Sequence, residues 1–183
     1  MSSLTLFTVL VALVGLERLA ELVVSRRNAE WSRRRGGVET GQRHYLVMVV
    51  LHTGLLVGVL VEVWVRRPEF VPALGWVMLA AVIASQALRW WCILTLGPRW
   101  NTRVIVVPGL PLVQKGPYRW FSHPNYVAVV VEGLTLPLVH SAWITAALFT
   151  VINAALLTVR IRVENRALEK PVPAVEPRVS KVV

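Results

Sequence analysis

The chain is poor in cysteine, since Cys92 is the only cysteine among its 183 residues. A single thiol excludes an internal disulfide and any zinc site built from cysteines, and we predict no metal site. The sequence also lacks an internal repeat and the pair of interrupted apolar segments that is typical of many transporters. A transporter is therefore a less favoured class for this chain.

Hydrophobic residues make up 55% of the chain, and its mean hydropathy is +0.58. Such values are typical of integral membrane proteins. We predict an all-α membrane protein with one domain over residues 1–170 and a flexible tail, 171–183, rich in proline and valine. The first apolar stretch lacks a basic n-region and a cleavage site, so we expect a retained helix. Five segments approach the length that spans about 30 Å of hydrocarbon: Leu4–Ser25, His44–Val65, Ala73–Leu96, Pro124–His140 and Ala142–Val159. The last two predict a tight helical hairpin.

The net charge is +10, and most basic residues lie between the apolar segments. This placement favours the positive-inside rule over nucleic-acid binding. We therefore expect membrane lipids, and no nucleic acid, among the partners. The asymmetry predicts an inner or plasma membrane protein with its N-terminus outside and its C-terminus in the cytoplasm. The residues that carry it are Arg26, Arg27, Arg33, Arg34, Arg35 and Arg43 after the first segment, Arg99, Arg103, Lys115 and Arg119 after the third, and Arg160, Arg162, Arg166, Lys170, Arg178 and Lys181 after the fifth.

Each apolar segment carries a polar residue at a similar depth, about 10–12 Å from its cytoplasmic end at 1.5 Å per residue. These residues are Glu17, His52, Arg89, Glu132 and Asn153. Ionisable groups inside a bilayer are costly and face partners or a cavity. Two interpretations stay open. One is a buried network in which Arg89 pairs with Glu17 or Glu132. The other is the floor of a substrate cavity, with a carboxylate near a reacting hydroxyl.

The loop between the third and fourth segments ends in Gly-Pro-Tyr-Arg-Trp-Phe-Ser-His-Pro-Asn-Tyr, residues 116–126. Pro124 suits the first turn of a helix, which Ser122 or His123 would cap, and the free N–H groups there suit a carboxylate. A capped helix start without a function is the alternative. Earlier in the loop, the β-branched run Val104–Val107 predicts a short extended piece or a hairpin.

Arg160 and Glu164 are four residues apart and share a helix face after the last apolar segment. The Arg-then-Glu order stabilises a helix poorly, and a glutamate near a C-terminus opposes the helix dipole. A solvated charged tail is one interpretation. The other is a binding site, where Glu164 accepts hydrogen bonds from hydroxyls or an amine and Arg160 binds a carboxylate.

Gly-Pro-Tyr-x-x-x-x-His-Pro-x-Tyr, followed by a helical hairpin and Arg-Ile-x-x-Glu-x-x-x-Leu, resembles the isoprenylcysteine carboxyl methyltransferase family over about residues 85–169. The stretch from Leu88 to Gly109 is similar to a bacterial branch of O-methyltransferases for alkylresorcinols and alkylpyrones, often linked to type III polyketide synthases. The resemblance implies S-adenosylmethionine in a cytoplasmic pocket, with Arg160 between cofactor and acceptor. The cofactor contacts that it implies are Gly116, Tyr118, His123, Pro124, Tyr126 and Glu164.

Two positions depart from the family pattern, because Ser122 stands where arginine is usual and Asn165 where a second glutamate is usual. Both departures remove a charge, so we expect a neutral or phenolic lipid acceptor that enters from the bilayer, with Arg119 a candidate substitute for the missing arginine. Methyl transfer needs alignment, exclusion of water and an ionised acceptor oxygen. We predict His123 and then Glu132 as the base, with Arg160 catalytic. The predicted acceptor-binding residues are Asn101, Arg103, Arg89 and Ser122.

Two other functions stay open. An NADPH-dependent membrane reductase of the steroid-reductase class has a similar His-x-x-Tyr and Glu pattern, although this chain is short for that class. A non-enzymatic lipid carrier or scaffold would use the polar layer only for packing. Binding of NADPH, of S-adenosylmethionine or of neither separates these three hypotheses.

Overall fold

Helices account for most of the chain, as the long apolar segments predict. A computed structural model describes residues 2–169, so the predicted tail, 171–183, lies outside the described residues. These described residues form five α-helices and two short strands, with 3-10 turns at Gly97–Arg99 and Gly116–Arg119. The helices are α1 Ser3–Arg33, α2 Gln42–Arg66, α3 Pro72–Leu96, α4 Pro124–Leu138 and α5 Trp143–Glu169, and the strands are β1 Val38–Thr40 and β2 Val104–Val106.

Three helices in the described part of the chain are long and apolar enough to cross a membrane, over Tyr45–Arg66, Pro72–Arg99 and Trp143–Glu169. The prediction of a helical membrane protein is confirmed to this extent. The other two predicted spans, in α1 and α4, do not meet the same requirements of length and apolar composition. The middle of α1 carries Glu17, Arg18 and Glu21, and α4 has only 15 residues.

The α1 helix continues eight residues beyond the predicted segment, to Arg33, and α5 continues to Glu169. Hydropathy marks where a chain leaves hydrocarbon, whereas a helix ends where its backbone is capped or broken. These polar extensions carry charged residues beyond the apolar layer. They bring the end of α5 beside the loop that follows α3.

The predicted hairpin of α4 and α5 is present. Its turn follows Pro137 and contains Ser141 in the left-handed region, with φ of 56°. Inside the hairpin, a Cβ added at Gly133 would lie 2.0 Å from the Phe149 ring. Gly133 therefore allows the close approach of the two helices. The main apolar core contains residues of α1, α2, α3 and α4 and of the turn before α5. They are Phe7, Val11, Val14, Val59, Val63, Val82, Leu136, Val139 and Ala142.

The two strands pair antiparallel, with Glu39 opposite Ile105. The β-branched run is therefore extended as predicted, but the hairpin alternative is wrong. Its partner strand comes from the connection between α1 and α2, more than sixty residues earlier in the chain. This ribbon ties the two polar connections together at the end of the helices where α5 ends.

The opposite end of α5 is capped by a side chain from α2. The Glu62 carboxylate accepts hydrogen bonds from the backbone N–H groups of Ile144 at 3.1 Å and Thr145 at 2.8 Å, and from the Thr145 hydroxyl at 2.7 Å. A carboxylate at a helix N-terminus satisfies orphan donors and complements the dipole. It also fixes α5 against α2.

We expect Glu62→Ala to lower the free energy of unfolding by about 1–2 kcal/mol, the usual effect of losing a helix cap. Reversible unfolding in mixed micelles would measure this change. Glu69→Ala is the matched control, because its side chain is exposed in the same turn region. Equal stability of the two variants would contradict a capping role for Glu62.

Candidate active site

Among the cavities of the described residues, two larger ones lie at the end of the molecule where the loop between α3 and α4 packs, and a smaller one lies beside them at the strand ribbon. The first, the loop cavity, encloses about 640 Å³ including its open mouth. It lies between that loop and the facing ends of α4 and α5. Its lining residues are Leu96, Arg99, Trp100, Asn101, Arg103, Val104, Ile105, Val106, Tyr118, Ser122, His123, Asn125, Tyr126, Arg160, Glu164 and Leu168.

The second, the helix cavity, spans about 880 Å³, including the open space at its mouth, among α1, α2, α4 and α5, with one residue from α3. Its walls are mostly apolar, and its polar residues gather in two groups. The wall toward the loop contains Trp100, Thr102, Asn125, Tyr126 and Arg160. The deeper part contains Arg18, Glu21, His52, Arg89 and Asn153.

Four residues line both cavities and form their shared wall: Trp100, Asn125, Tyr126 and Arg160. Arg160 is the charged member and is only 8% exposed. Its Nε donates to the Tyr126 hydroxyl at 2.8 Å, and another N–H donates to the Thr102 carbonyl. A planar guanidinium with several fixed donors suits this position between two spaces.

The loop is held in this position by polar side chains of α1. Ser25 donates to Asn101 Oδ1 at 2.8 Å and accepts from the Thr102 N–H at 3.0 Å. Asn28 donates to the Trp100 carbonyl at 2.8 Å. Because these contacts satisfy loop backbone groups away from solvent, the Trp100 side chain is held inward and is 2% exposed.

Glu164, Tyr126 and His123 form a connected group on the wall of the loop cavity. The Tyr126 hydroxyl donates to the Glu164 carboxylate, so it links Arg160 to Glu164. The His123 ring stacks on the Tyr126 ring with centroids 5.3 Å apart. His123 Nε2 lies 3.0 Å from Asn165 Oδ1, and Nδ1 lies 3.8 Å from Glu164 Oε2. The Asn165 oxygen therefore favours the tautomer with hydrogen on Nε2.

Two further predicted cofactor residues, Gly116 and Pro124, lie behind this group. Gly116 has φ of +53°, and a Cβ there would lie 2.6 Å from Thr95 Oγ1. Glycine therefore allows the turn to pack on α3. Pro124 is fully buried at the start of α4. Neither residue lines the loop cavity. Both instead determine the backbone conformation beside it, Gly116 in the turn and Pro124 at the start of α4.

The expected cap of α4 is only partly present. His123 occupies the cap position, but its side chain makes no capping hydrogen bond, because the ring faces Asn165 and Glu164 instead. Ser122 and Tyr118 line the loop cavity. Burial, reinforced by the neighbouring Cys92, raises the pKa of the Tyr118 hydroxyl well above its ordinary value. Arg119 is exposed and lines neither described cavity.

Arg103 lies at the rim of the loop cavity, beside the strand ribbon. It donates to Glu39 at 2.8 Å, and its guanidinium lies 4.5 Å from the centre of the Tyr45 ring. Burial alone would raise the pKa of the Glu39 carboxyl, but hydrogen bonds from Arg103 and Arg33 outweigh it and lower that pKa. The same hydrogen bond raises the pKa of Arg103. Both groups therefore stay charged and hold the ribbon beside the cavity.

Three of the five residues of the predicted polar layer, Glu17, Arg89 and Glu132, belong to a buried ion network, whereas His52 and Asn153 line the helix cavity. Arg89 donates to Glu132 at 2.9 Å, as one of the two interpretations expected, and its Nε lies 3.6 Å from Glu21. Arg18 donates to Glu21 at 2.9 Å and lies 3.6 Å from Glu132. Glu17 instead accepts from Trp90 and lies 3.5 Å from Arg18. Glu132 lines neither cavity, whereas Arg89 lines the helix cavity.

The sequence alone missed several residues of this region. Trp100 and Asn125 belong to the shared wall, and Ser25 positions the loop. Arg18 and Glu21 also line the helix cavity. Asn125 lies within the His-Pro-Asn-Tyr motif, so the sequence motif was sufficient to identify it. Trp100 and Ser25 have no such signal, because their roles depend on contact between distant segments.

Comparisons with known proteins support the resemblance seen in the sequence. The family model of the isoprenylcysteine carboxyl methyltransferase (ICMT) family matches residues 76–170. The uncharacterized protein YpbQ of Bacillus subtilis (strain 168) is 40% identical over 166 residues, which cover 90% of this chain and 98% of that protein. No solved structure matches. The chain therefore belongs to the isoprenylcysteine carboxyl methyltransferase family, which supports a methyltransferase activity for this membrane protein.

Proposed function

We propose that this protein transfers a methyl group from S-adenosylmethionine to an oxygen of a lipophilic acceptor, of the alkylresorcinol or alkylpyrone type. The observation that carries the proposal is the wall shared by the two cavities. A cavity at the loop with a half-polar lining and a mostly apolar cavity among the helices meet at Trp100, Asn125, Tyr126 and Arg160. A water-soluble cofactor and a lipid need such an arrangement if their reacting atoms are to meet.

The lining of the loop cavity fits S-adenosylmethionine in its chemistry. Glu164 would accept hydrogen bonds from ribose hydroxyls or the amine, and Arg103 would attract the carboxylate. Asn101 and Asn125 line this cavity, and within the described residues the buried Asn101 Nδ2 and Asn125 Oδ1 make no hydrogen bond. When bound, the cofactor supplies an electrophilic methyl group.

The helix cavity fits the acceptor. Leu22, Val49, Leu56, Val129 and Leu156 line it, and such side chains accommodate an alkyl chain. Arg160 would stabilise the developing charge on a phenolic oxygen at the shared wall. Of the two predicted bases, His123 is favoured, because Glu132 is bound by Arg89 and lines neither cavity. His123 would accept the acceptor's proton at Nδ1, which faces Glu164.

The proposed topology has all five helices crossing the inner or plasma membrane, with the N-terminus outside. The charges of α1 are compatible with crossing, because Arg18 pairs with Glu17 and Glu21 rather than facing lipid. The short α4 packs between α3 and α5 and begins at the loop. The arginines at the end of α1, after α3 and at the end of α5 lie at the same end of the helices, which supports a cytoplasmic loop cavity.

Cofactor binding tests the proposal most directly. We expect purified protein in lipid nanodiscs to bind S-adenosylmethionine and to methylate an alkylresorcinol with a labelled methyl group. Glu164→Gln should weaken cofactor binding at least tenfold, because an amide replaces a charged hydrogen-bond acceptor. Glu169→Gln is the control, as an exposed glutamate on the same helix. Calorimetric titration measures the affinities.

Other outcomes of this titration would contradict the proposal. Binding of NADPH in place of S-adenosylmethionine would indicate the reductase class. Binding of lipid without either cofactor would indicate a carrier or scaffold. Equal cofactor affinity in Glu164→Gln and the wild type would remove Glu164 from the site.

A further inference from the structure

Trp100 carries a buried hydrogen-bond donor that has no partner among the described residues. Its side chain is 2% exposed, and its indole Nε1 makes no hydrogen bond there. Two other indole groups of the described chain do have acceptors, since Trp90 donates to Glu17 and Trp64 donates to Thr8. Buried indole N–H groups usually have a partner, and an indole can only donate. Trp100 therefore requires an acceptor atom that a ligand can supply.

The position of Trp100 limits which ligand atom this is. Trp100 lines both the loop cavity and the helix cavity, so a group that binds it lies where the proposed cofactor and lipid meet. The backbone on both sides of it is fixed. Asn28 donates to the Trp100 carbonyl at 2.8 Å, and the Trp100 backbone N–H donates to the Gly97 carbonyl at 3.0 Å. A donor that is already in place needs no reorganisation during a reaction.

A second donor of the shared wall, Arg160, indicates on which side the ligand oxygen lies. Arg160 donates to the Tyr126 hydroxyl and to the Thr102 carbonyl. Its third nitrogen donates to the Met48 sulfur. A thioether is a weak acceptor, so a ligand oxygen would readily replace Met48 as the partner of this nitrogen. Because Met48 lines the helix cavity and not the loop cavity, that oxygen would belong to the lipid rather than to the cofactor.

We propose that the indole N–H of Trp100 donates a hydrogen bond to the acceptor oxygen that is methylated, and that Arg160 is the second donor to the same oxygen. Two donors would stabilise the phenolate and fix the oxygen at the shared wall. The indole proton stays on Trp100 throughout, and the proton of the acceptor hydroxyl passes to the base. This inference rests on the proposed function, because it assigns the bound oxygen to the methyl acceptor.

Ionisation of a bound phenol tests the inference without any methyl transfer. The probe is a 3-alkyl-4-nitrophenol, whose phenolate absorbs visible light, titrated with pH in nanodiscs without cofactor. We expect the wild type to lower the pKa of the bound probe relative to empty nanodiscs. Trp100→Phe should raise that pKa by about one unit, because a hydrogen bond to a charged oxygen is lost. Replacement of Trp100 by 3-benzothienylalanine, which keeps the ring shape but has no N–H, should give the same shift.

Trp143→Phe is the matched control, because Trp143 is 58% exposed at the start of α5 and lines neither of the two larger cavities. It should leave the pKa of the bound probe unchanged. An unchanged pKa in both Trp100 replacements would overturn the inference, as would a wild-type value equal to that in empty nanodiscs.

Cofactor binding separates the two possible sources of the ligand oxygen. Calorimetry should give Trp100→Phe an affinity for S-adenosylmethionine within about threefold of the wild type. A loss of about tenfold or more, with an unchanged pKa of the probe, would assign the indole N–H to the cofactor carboxylate and overturn the inference. A probe pKa that depends on Trp100, in a protein that transfers no methyl group, would instead refute the proposed function and leave the Trp100 donor in place.

Discussion

Arg160→Gln is expected to lower kcat/KM for methyl transfer by about 100-fold or more, the usual effect of removing a donor that stabilises developing negative charge. Arg160 is the charged residue of the wall between the two cavities, and it is 8% exposed. Steady-state kinetics with a labelled methyl donor and an alkylresorcinol measures the change. We expect Arg160→Lys to recover little of the loss, because a lysine amine does not reproduce the planar set of donors.

The kinetic effect must be separated from a loss of folding. Arg162→Gln is the matched control, because Arg162 is exposed on the same helix two residues later. Arg160→Gln should still bind S-adenosylmethionine, since Glu164 and Tyr118 remain in place on the loop cavity. A variant that binds cofactor and retains kcat within threefold of the wild type would contradict a role for Arg160 in the transfer step.

The contacts around Arg160 define what this prediction measures. Its Nε donates to the Tyr126 hydroxyl at 2.8 Å, and that hydroxyl donates onward to Glu164. Arg160 therefore polarises the Tyr126 phenol, which contacts the Glu164 carboxylate that is proposed to bind the cofactor. Part of the loss of activity in Arg160→Gln would consequently be transmitted through Tyr126. Tyr126→Phe measured beside Arg160→Gln separates the direct part from the transmitted one.

Local sequence patterns predict the helices and one half of the site well. The apolar segments predict five helices, and the spacing of Arg160 and Glu164 predicts their common face. Both features depend on the 3.6-residue period of a single helix. The His-Pro motif likewise brings His123 and Tyr126 to the first turn of α4. These residues meet Glu164 because a short turn makes α4 and α5 antiparallel neighbours.

Features that depend on contacts between distant segments could not be predicted in the same way. The partner of β2 lies between α1 and α2, and nothing in the run Val104–Val107 identifies it. Trp100 is inward because Asn28 and Ser25 of α1 bind the adjacent backbone. Counting residues along a helix gives the depth of a side chain in the membrane. The direction in which that side chain points around the helix axis depends instead on how the helices pack. For this reason a depth count does not identify Arg18 and Glu21 as members of the buried network that they join.

Arg89→Leu is expected to lower the free energy of unfolding by about 3–5 kcal/mol, because it removes the hydrogen-bonded cation from the buried Glu132 carboxylate. Arg89 donates to Glu132 at 2.9 Å and lies 3.6 Å from Glu21. Unfolding in mixed micelles measures the loss, with Arg66→Leu as the control because Arg66 is exposed at the end of α2. A loss below about 1 kcal/mol would contradict a buried network that depends on Arg89.

The double variant Arg89→Leu with Glu132→Leu should regain more than half of that loss. Arg18 donates to Glu21 at 2.9 Å, so the remaining carboxylate keeps a partner when Glu132 is removed with Arg89. Replacing both members of a buried pair removes the unpaired charge and leaves apolar side chains that pack among helices. A double variant that regains less than half of the loss would contradict this interpretation.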